Sequence, residues 1–151
     1  MLFLVVAASA LVAACEQPVA PQANPSLSFS PSFSARALGG PPSGIVFHSA
    51  RSGVSHIYLM DADGGEPQAV AAGTGSDLWP DISRNGHLVT FMSNRSGNNE
   101  IYVLDLSDDS LWNVSNNAGA TNNDDNWPRF SPNGKRIAFH SNRSGNYEIY
   151  T

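Results

Sequence analysis

The sequence predicts an all-β chain, a β-propeller holding about two and a half four-stranded blades. Three observations predict it. Residues 45–58 read IVFHSARSGVSHIY, 89–102 read VTFMSNRSGNNEIY, and 137–150 read IAFHSNRSGNYEIY, at offsets of 44 and then 48 residues. A second block, LWPDISRNG from Leu78 to Gly86, returns as NWPRFSPNG from Asn126 to Gly134, again 48 residues on. Each copy consists of short β-type runs between turn residues, with no run of helical periodicity. A repeat of this length and kind marks a propeller blade.

The strands follow in order. Ile45–Ser49, Leu88–Ser93 and Ile137–Ser141 are equivalent, as are His56–Met60, Glu100–Leu106 and Glu148–Thr151. Val70 and Leu111–Val114 mark a weaker outer strand, and Trp79–Ser83 and Trp127–Ser131 open a blade. Asn85-Gly86, Asn133-Gly134 and Asp63-Gly64-Gly65 read as hairpin turns, because Asn and Gly tolerate positive φ. The Ser-x-Arg-Ser-Gly run supplies the remaining hairpin.

A chain of 151 residues is too short for a closed ring. Blades of about 45 residues in rings of 4–8 need roughly 180–360 residues. One full blade and two partial ones are present, and the last strand stops at Thr151. The expectation is a fragment of a longer protein, or a ring completed by other chains.

The N-terminal part reads differently. Residues 2–14, LFLVVAASALVAA, are apolar or small. As a helix at about 1.5 Å per residue they reach roughly 20 Å, short of a hydrocarbon core of roughly 30 Å, which suits a signal peptide. Val12-Ala13-Ala14-Cys15 resembles the bacterial lipobox, which implies lipid attachment at Cys15. Residues 15–44 are rich in Pro, Ser, Ala and Gly and are expected to form a flexible tether. The propeller repeats then occupy residues 45–151.

The net charge is −5, and Lys135-Arg136 is the one adjacent basic pair. A nucleic-acid surface needs a basic patch, so that class is excluded. The single cysteine excludes an intrachain disulfide and a multi-cysteine metal site.

The blade residues resemble the WD40-like repeat of TolB-type β-propellers. The best copy is Trp127-Pro128-Arg129-Phe130-Ser131-Pro132-Asn133-Gly134, Ile137-Ala138-Phe139, Arg143, Gly145 and Glu148-Ile149-Tyr150, with Asn133 where the family has Asp. Family members carry an α/β domain before the propeller. Here only the tether stands between Cys15 and the first blade, so the family's partner contacts do not transfer.

The repeated residues Trp79, Phe91, Arg95, Gly97, Tyr102, Trp127, Phe139, Arg143, Gly145 and Tyr150 read as structural. A catalytic group is needed once, whereas these return in each copy. Arg51, Arg95 and Arg143 are expected to pair with carboxylates or carbonyls near the turn, with Glu100 and Glu148 as candidates. Trp79 and Trp127 read as packing between blades. His48 and His140 share a position that Met92 fills in the middle copy, which argues against an acid–base role. The run Asn122-Asn123-Asp124-Asp125-Asn126 carries clustered oxygen ligands that suit Ca²⁺ or a solvated loop. Asp61-Ala62-Asp63-Gly64 lacks the Glu of a calcium loop and reads as a turn. No nucleophile elbow, zinc motif or phosphate loop is present, and no catalytic residue, metal site or cofactor is assigned.

The resemblance implies a non-enzymatic binding or scaffold module, meeting an envelope protein, peptide or glycan. Lipid attachment implies the bacterial cell envelope on its periplasmic side. Glu16 after the cysteine, rather than Asp, favours the outer membrane. The rival reading is an accessory propeller of a larger envelope enzyme, of serine peptidase or lyase type, with its catalytic part beyond Thr151.

Overall fold

The computed structural model describes residues 44–115 and 123–151. The leader, Cys15, nearly all of the tether and Asn122 lie outside the described residues.

Among the described residues, ten strands form three antiparallel sheets. The first holds β1 (Gly44–Ser49), β2 (His56–Asp61) and β3 (Gln68–Ala71). The second holds β4 (Asp77–Ile82), β5 (Leu88–Ser93), β6 (Glu100–Asp105) and β7 (Leu111–Asn113). The third holds β8 (Asp125–Phe130), β9 (Ile137–Ser141) and β10 (Glu148–Tyr150). Sequence neighbours are sheet neighbours throughout, so every connection is a hairpin or a step to the next sheet. This is one complete blade between two partial ones.

The repeat is visible in the register itself. Phe47 faces Tyr58 across β1 and β2, Phe91 faces Tyr102 across β5 and β6, and Phe139 faces Tyr150 across β9 and β10. The ring centroids lie 5.8, 6.1 and 6.1 Å apart, stacked in each case. Aromatic cross-strand pairs of this kind stabilise a sheet beyond the area they bury.

The middle sheet is packed on both faces. Val89, Phe91, Tyr102 and Leu104 meet Ile57, Leu59, Val70 and Ala71 of the first sheet. Met92 and Ile101 meet Phe139, Ile137 and Tyr150 of the third. Phe91, Ile101 and Val89 are fully buried as a result.

Two turn types recur, and glycine serves each through its φ. Gly53, Gly97 and Gly145 have φ of 101°, 109° and 101° in the Arg-Ser-Gly turns. A Cβ at any of them would meet nothing within 4 Å, so backbone conformation and not space demands glycine there. The Asn-Gly turns correct one expectation. Positive φ falls on Gly86 and Gly134 alone, at 68° each, and not on the asparagines. Asn85 works through its side chain: its Oδ1 accepts from Ser83 Oγ (2.7 Å) and from the His87 N–H (3.2 Å). Asn133 does the same with Ser131 Oγ (2.8 Å) and the Lys135 N–H (3.0 Å). One acceptor oxygen is all the turn uses, which is why Asn can stand where the family has Asp.

Phe91→Ala is predicted to cost about 3–5 kcal/mol, since it empties a fully buried site between two sheets. Urea denaturation checks this, and a near-neutral result would refute the packing described. Gly97→Ala is predicted to cost about 1 kcal/mol through φ alone, read from the same transition.

Candidate functional site

The polar chemistry of the chain gathers where one sheet meets the next. Each blade-opening strand starts on an aspartate, Asp77 in β4 and Asp125 in β8. The Asp77 N–H donates to the Ser55 carbonyl of the preceding sheet (2.8 Å), and the Asp125 N–H donates to the Asn99 carbonyl (2.8 Å). One residue earlier, the N–H groups of Ser76 and Asp124 donate to Oδ1 of Asn94 and Asn142, at 2.7 and 2.8 Å. These bonds hold the entry of each strand at one height.

The turn arginines complete the arrangement. The guanidinium carbon of Arg95 stands 5.5 Å from the Phe91 centroid and 5.0 Å from that of Tyr102. Its Nε donates to Ser93 Oγ (2.9 Å), and one terminal nitrogen donates to Asp77 Oδ1 (2.8 Å). Arg143 repeats this over Phe139 and Tyr150, with Ser141 Oγ (2.9 Å) and Asp125 Oδ2 (2.8 Å). Arg51 lies over Phe47 and Tyr58 and donates to Ser49 Oγ (3.2 Å). The carboxylates are therefore Asp77 and Asp125, which corrects the expectation of Glu100 and Glu148. Glu100 is buried elsewhere, accepting from Asn98 Nδ2 (2.7 Å) and Ser115 Oγ (2.7 Å). Glu148 is exposed. A signal for the aspartates existed: they stand 48 residues apart, each two residues before its tryptophan.

The two junctions differ in one position. Asp77 Oδ2 also lies 3.2 Å from His56 Nδ1 of the first sheet, so one buried carboxylate bridges two sheets. At the second junction Glu100 replaces that histidine in the repeat, and Asp125 Oδ1 has no partner. Hydrogen bonds without a cation join the sheets there instead. Asn99 Nδ2 donates to Asn126 Oδ1 (3.1 Å), Asn98 Nδ2 to the Asn123 carbonyl (2.6 Å), and the Phe130 N–H to Asp81 Oδ2 (2.7 Å). The described part of the Asn122–Asn126 run thus faces the neighbouring sheet through Asn123, Asp124, Asp125 and Asn126. Among the described residues no group of three or more His, Cys, Asp or Glu side chains could hold a metal ion.

The tryptophans sit at β-bulges, with φ of 51° at Trp79 and 53° at Trp127. Such a conformation costs about 1–3 kcal/mol in a non-glycine residue. Pro80 and Pro128 follow, so no ladder N–H is wasted at the bulge. The two indoles meet at 5.3 Å, and Trp127 continues into a stack with His140 (5.1 Å) and then Tyr147 (4.3 Å). His48 is exposed on the first sheet, so the two histidines are not brought together.

Asp105 has the one clearly lowered pKa among the described groups, through the Ser107 hydroxyl and N–H that its carboxylate accepts. It belongs to a surface turn. The described surface carries depressions that none of these groups fills. One of about 380 Å³ lies between the turns at Ser83–Asn85 and Pro132–Gly134. Another, of about 400 Å³, lies on the third sheet against Trp127, His140 and Ile149.

Among solved structures similar to this chain are two TolB proteins. A protein assigned as TolB from Agrobacterium tumefaciens is 28% identical over 66% of this chain and 34% of its own, with a TM-score of 0.58. TolB from Acinetobacter baumannii is 29% identical over 72% of this chain and 26% of its own, also at 0.58. The described strands form a TolB-like propeller segment. The chain spans about a third of the first structure's length and about a quarter of the second's. No family model and no curated protein matches the chain. The exchange of His56 for Glu100 between junctions is read from this chain's own repeats.

Arg95→Lys is predicted to cost about 2 kcal/mol or more. An ammonium cannot span the Ser93 hydroxyl, the Asp77 carboxylate and two ring faces at once. Unchanged thermal stability would show that the planar fork is not being used.

Proposed function

We propose that this chain is a non-enzymatic binding module of the bacterial cell envelope, a propeller scaffold that presents a protein, peptide or glycan surface. The observation that carries this reading is where its polar groups go. The repeated Arg, Asp, Ser and Asn side chains are spent on one another at the sheet junctions. Turn positions are among those that vary between copies, Val54-Ser55 against Asn98-Asn99 and Asn146-Tyr147, and turns and loops are where specificity on a rigid scaffold resides. The TolB likeness supports an envelope setting, and the apolar leader ending in Cys15 supports a lipid anchor on its periplasmic side.

Three experiments test it. Cys15→Ser is predicted to move the protein from the membrane fraction to the soluble fraction, and unchanged membrane association contradicts the anchor. Hydrogen exchange with solubilised envelope peptides and glycan fragments is predicted to protect the loops at 72–76, 96–99 and 144–147. Turnover of an envelope peptide, ester or uronate by the purified chain would refute the non-enzymatic reading and favour the accessory-propeller alternative.

A further inference from the structure

The two sheet junctions are copies of one design that differ in charge. At the first, both oxygens of the buried Asp77 carboxylate are engaged. Its Oδ1 accepts from Arg95 (2.8 Å), and its Oδ2 lies 3.2 Å from His56 Nδ1. At the second, Arg143 donates to Asp125 Oδ2 (2.8 Å) in the same way. Glu100 stands 44 residues after His56, in the histidine's place in the repeat. It brings a carboxylate where the first junction has an imidazole. Asp125 is 1% exposed, and its Oδ1 has no hydrogen-bond partner. That oxygen is the counterpart of the one His56 reaches at the first junction.

The groups around it are oxygens. Glu100 is buried and accepts only from neutral donors, Asn98 Nδ2 (2.7 Å) and Ser115 Oγ (2.7 Å). The same Asn98 amide donates to the Asn123 carbonyl (2.6 Å), so a backbone oxygen lies beside Glu100. Asp125 is held against this group by its N–H, which donates to the carbonyl of Asn99, the residue before Glu100 (2.8 Å). Asp124 accepts the Asn99 N–H on Oδ1 (3.3 Å). Three carboxylates thus gather near one guanidinium, that of Arg143, which leaves two negative charges uncompensated. Burying charge without a counter-charge is costly, and so is a buried acceptor without a donor.

We propose that the second junction binds a calcium ion, with Asp125 Oδ1 and the Glu100 carboxylate as its charged ligands and the Asn123 carbonyl as a neutral one. One divalent cation balances the two charges, whereas a water at Oδ1 supplies a donor and no charge. Calcium accepts irregular sets of carboxylate and carbonyl oxygens, and magnesium demands a near-ideal octahedron. No three acidic or histidine side chains converge on one point there, so the affinity belongs with extracellular modules, at about 10⁻⁴–10⁻³ M. An ion so placed ties β6 of the middle sheet to β8 of the third, the role His56 fills at the first junction. Both of those sheets lie within the described residues, and the inference does not depend on the function proposed above.

The test is thermal unfolding of the full chain, with calorimetry of calcium binding, for wild type and for Glu100→Gln and Glu100→His. The first variant removes the charge and keeps the shape; the second restores the residue of the first junction. Calcium at about 5 mM is expected to raise the wild-type midpoint by about 3 °C or more over chelator. Magnesium or sodium at the same ionic strength is expected to raise it by less than about 1 °C. Calorimetry should show one calcium ion bound per chain. Both variants are expected to unfold at the same midpoint with calcium and without it. A wild-type chain indifferent to calcium, an equal response to magnesium or sodium, or a calcium shift that persists in Glu100→Gln would each overturn the proposal.

Discussion

A guanidinium lying over a Phe–Tyr pair and reaching a buried aspartate is the interaction on which the rest of this structure depends. Arg95 touches four groups from three strands: the rings of Phe91 and Tyr102, the Ser93 hydroxyl and the Asp77 carboxylate. A cation over desolvated rings contributes about 0.5–2 kcal/mol. Its larger role is to make a fully buried Asp77 tolerable, since an unpaired buried carboxylate costs several kcal/mol. Once Asp77 is fixed, its N–H sets the next strand against Ser55 and the bulge at Trp79 follows. The same sequence of causes runs from Arg143 through Asp125 to Trp127.

This arrangement bears on function because it separates what must repeat from what is free to vary. Phe, Tyr, Arg and Gly return in every copy because the register and the turn require them. Positions 55, 99 and 147 occupy one place in the repeat and read Ser, Asn and Tyr. Positions 48, 92 and 140 read His, Met and His. Among the described residues a stack such as that of Trp127, His140 and Tyr147 occurs in the third sheet, for that reason. Differences between junctions are of the same kind. His56 lets Asp77 hold two sheets with one carboxylate, whereas Glu100 leaves the second junction to asparagine side chains and backbone groups.

Much of the fold was legible in the sequence, because a repeat read three times locates strands better than any single window does. The spacing of Phe47, Phe91 and Phe139 placed the central strands, and the spacing of Tyr58, Tyr102 and Tyr150 placed their partners. What escaped were partners whose identity depends on three-dimensional position. Glu100 and Glu148 are near the arginines along the chain, yet the guanidinium reaches across the sheet to Asp77 and Asp125, about 18 residues earlier. The asparagines of the Asn-Gly turns resembled positive-φ residues, since that is how Asn serves many hairpins. Here the side-chain acceptor is what the turn uses. Trp79 and Trp127 sit in nearly identical sequence, and only the neighbouring sheet makes one half-buried and the other exposed.

The measurement that tests the account most directly is a double-mutant cycle on Arg95 and Asp77, using Arg95→Met and Asp77→Leu and their combination. If Arg95 is what makes the buried Asp77 tolerable, the coupling energy is about 2 kcal/mol or more, with the double variant more stable than the sum of the single losses implies. Coupling below about 0.5 kcal/mol would contradict it, and would mean that the aromatic packing holds the sheets without the ion pair.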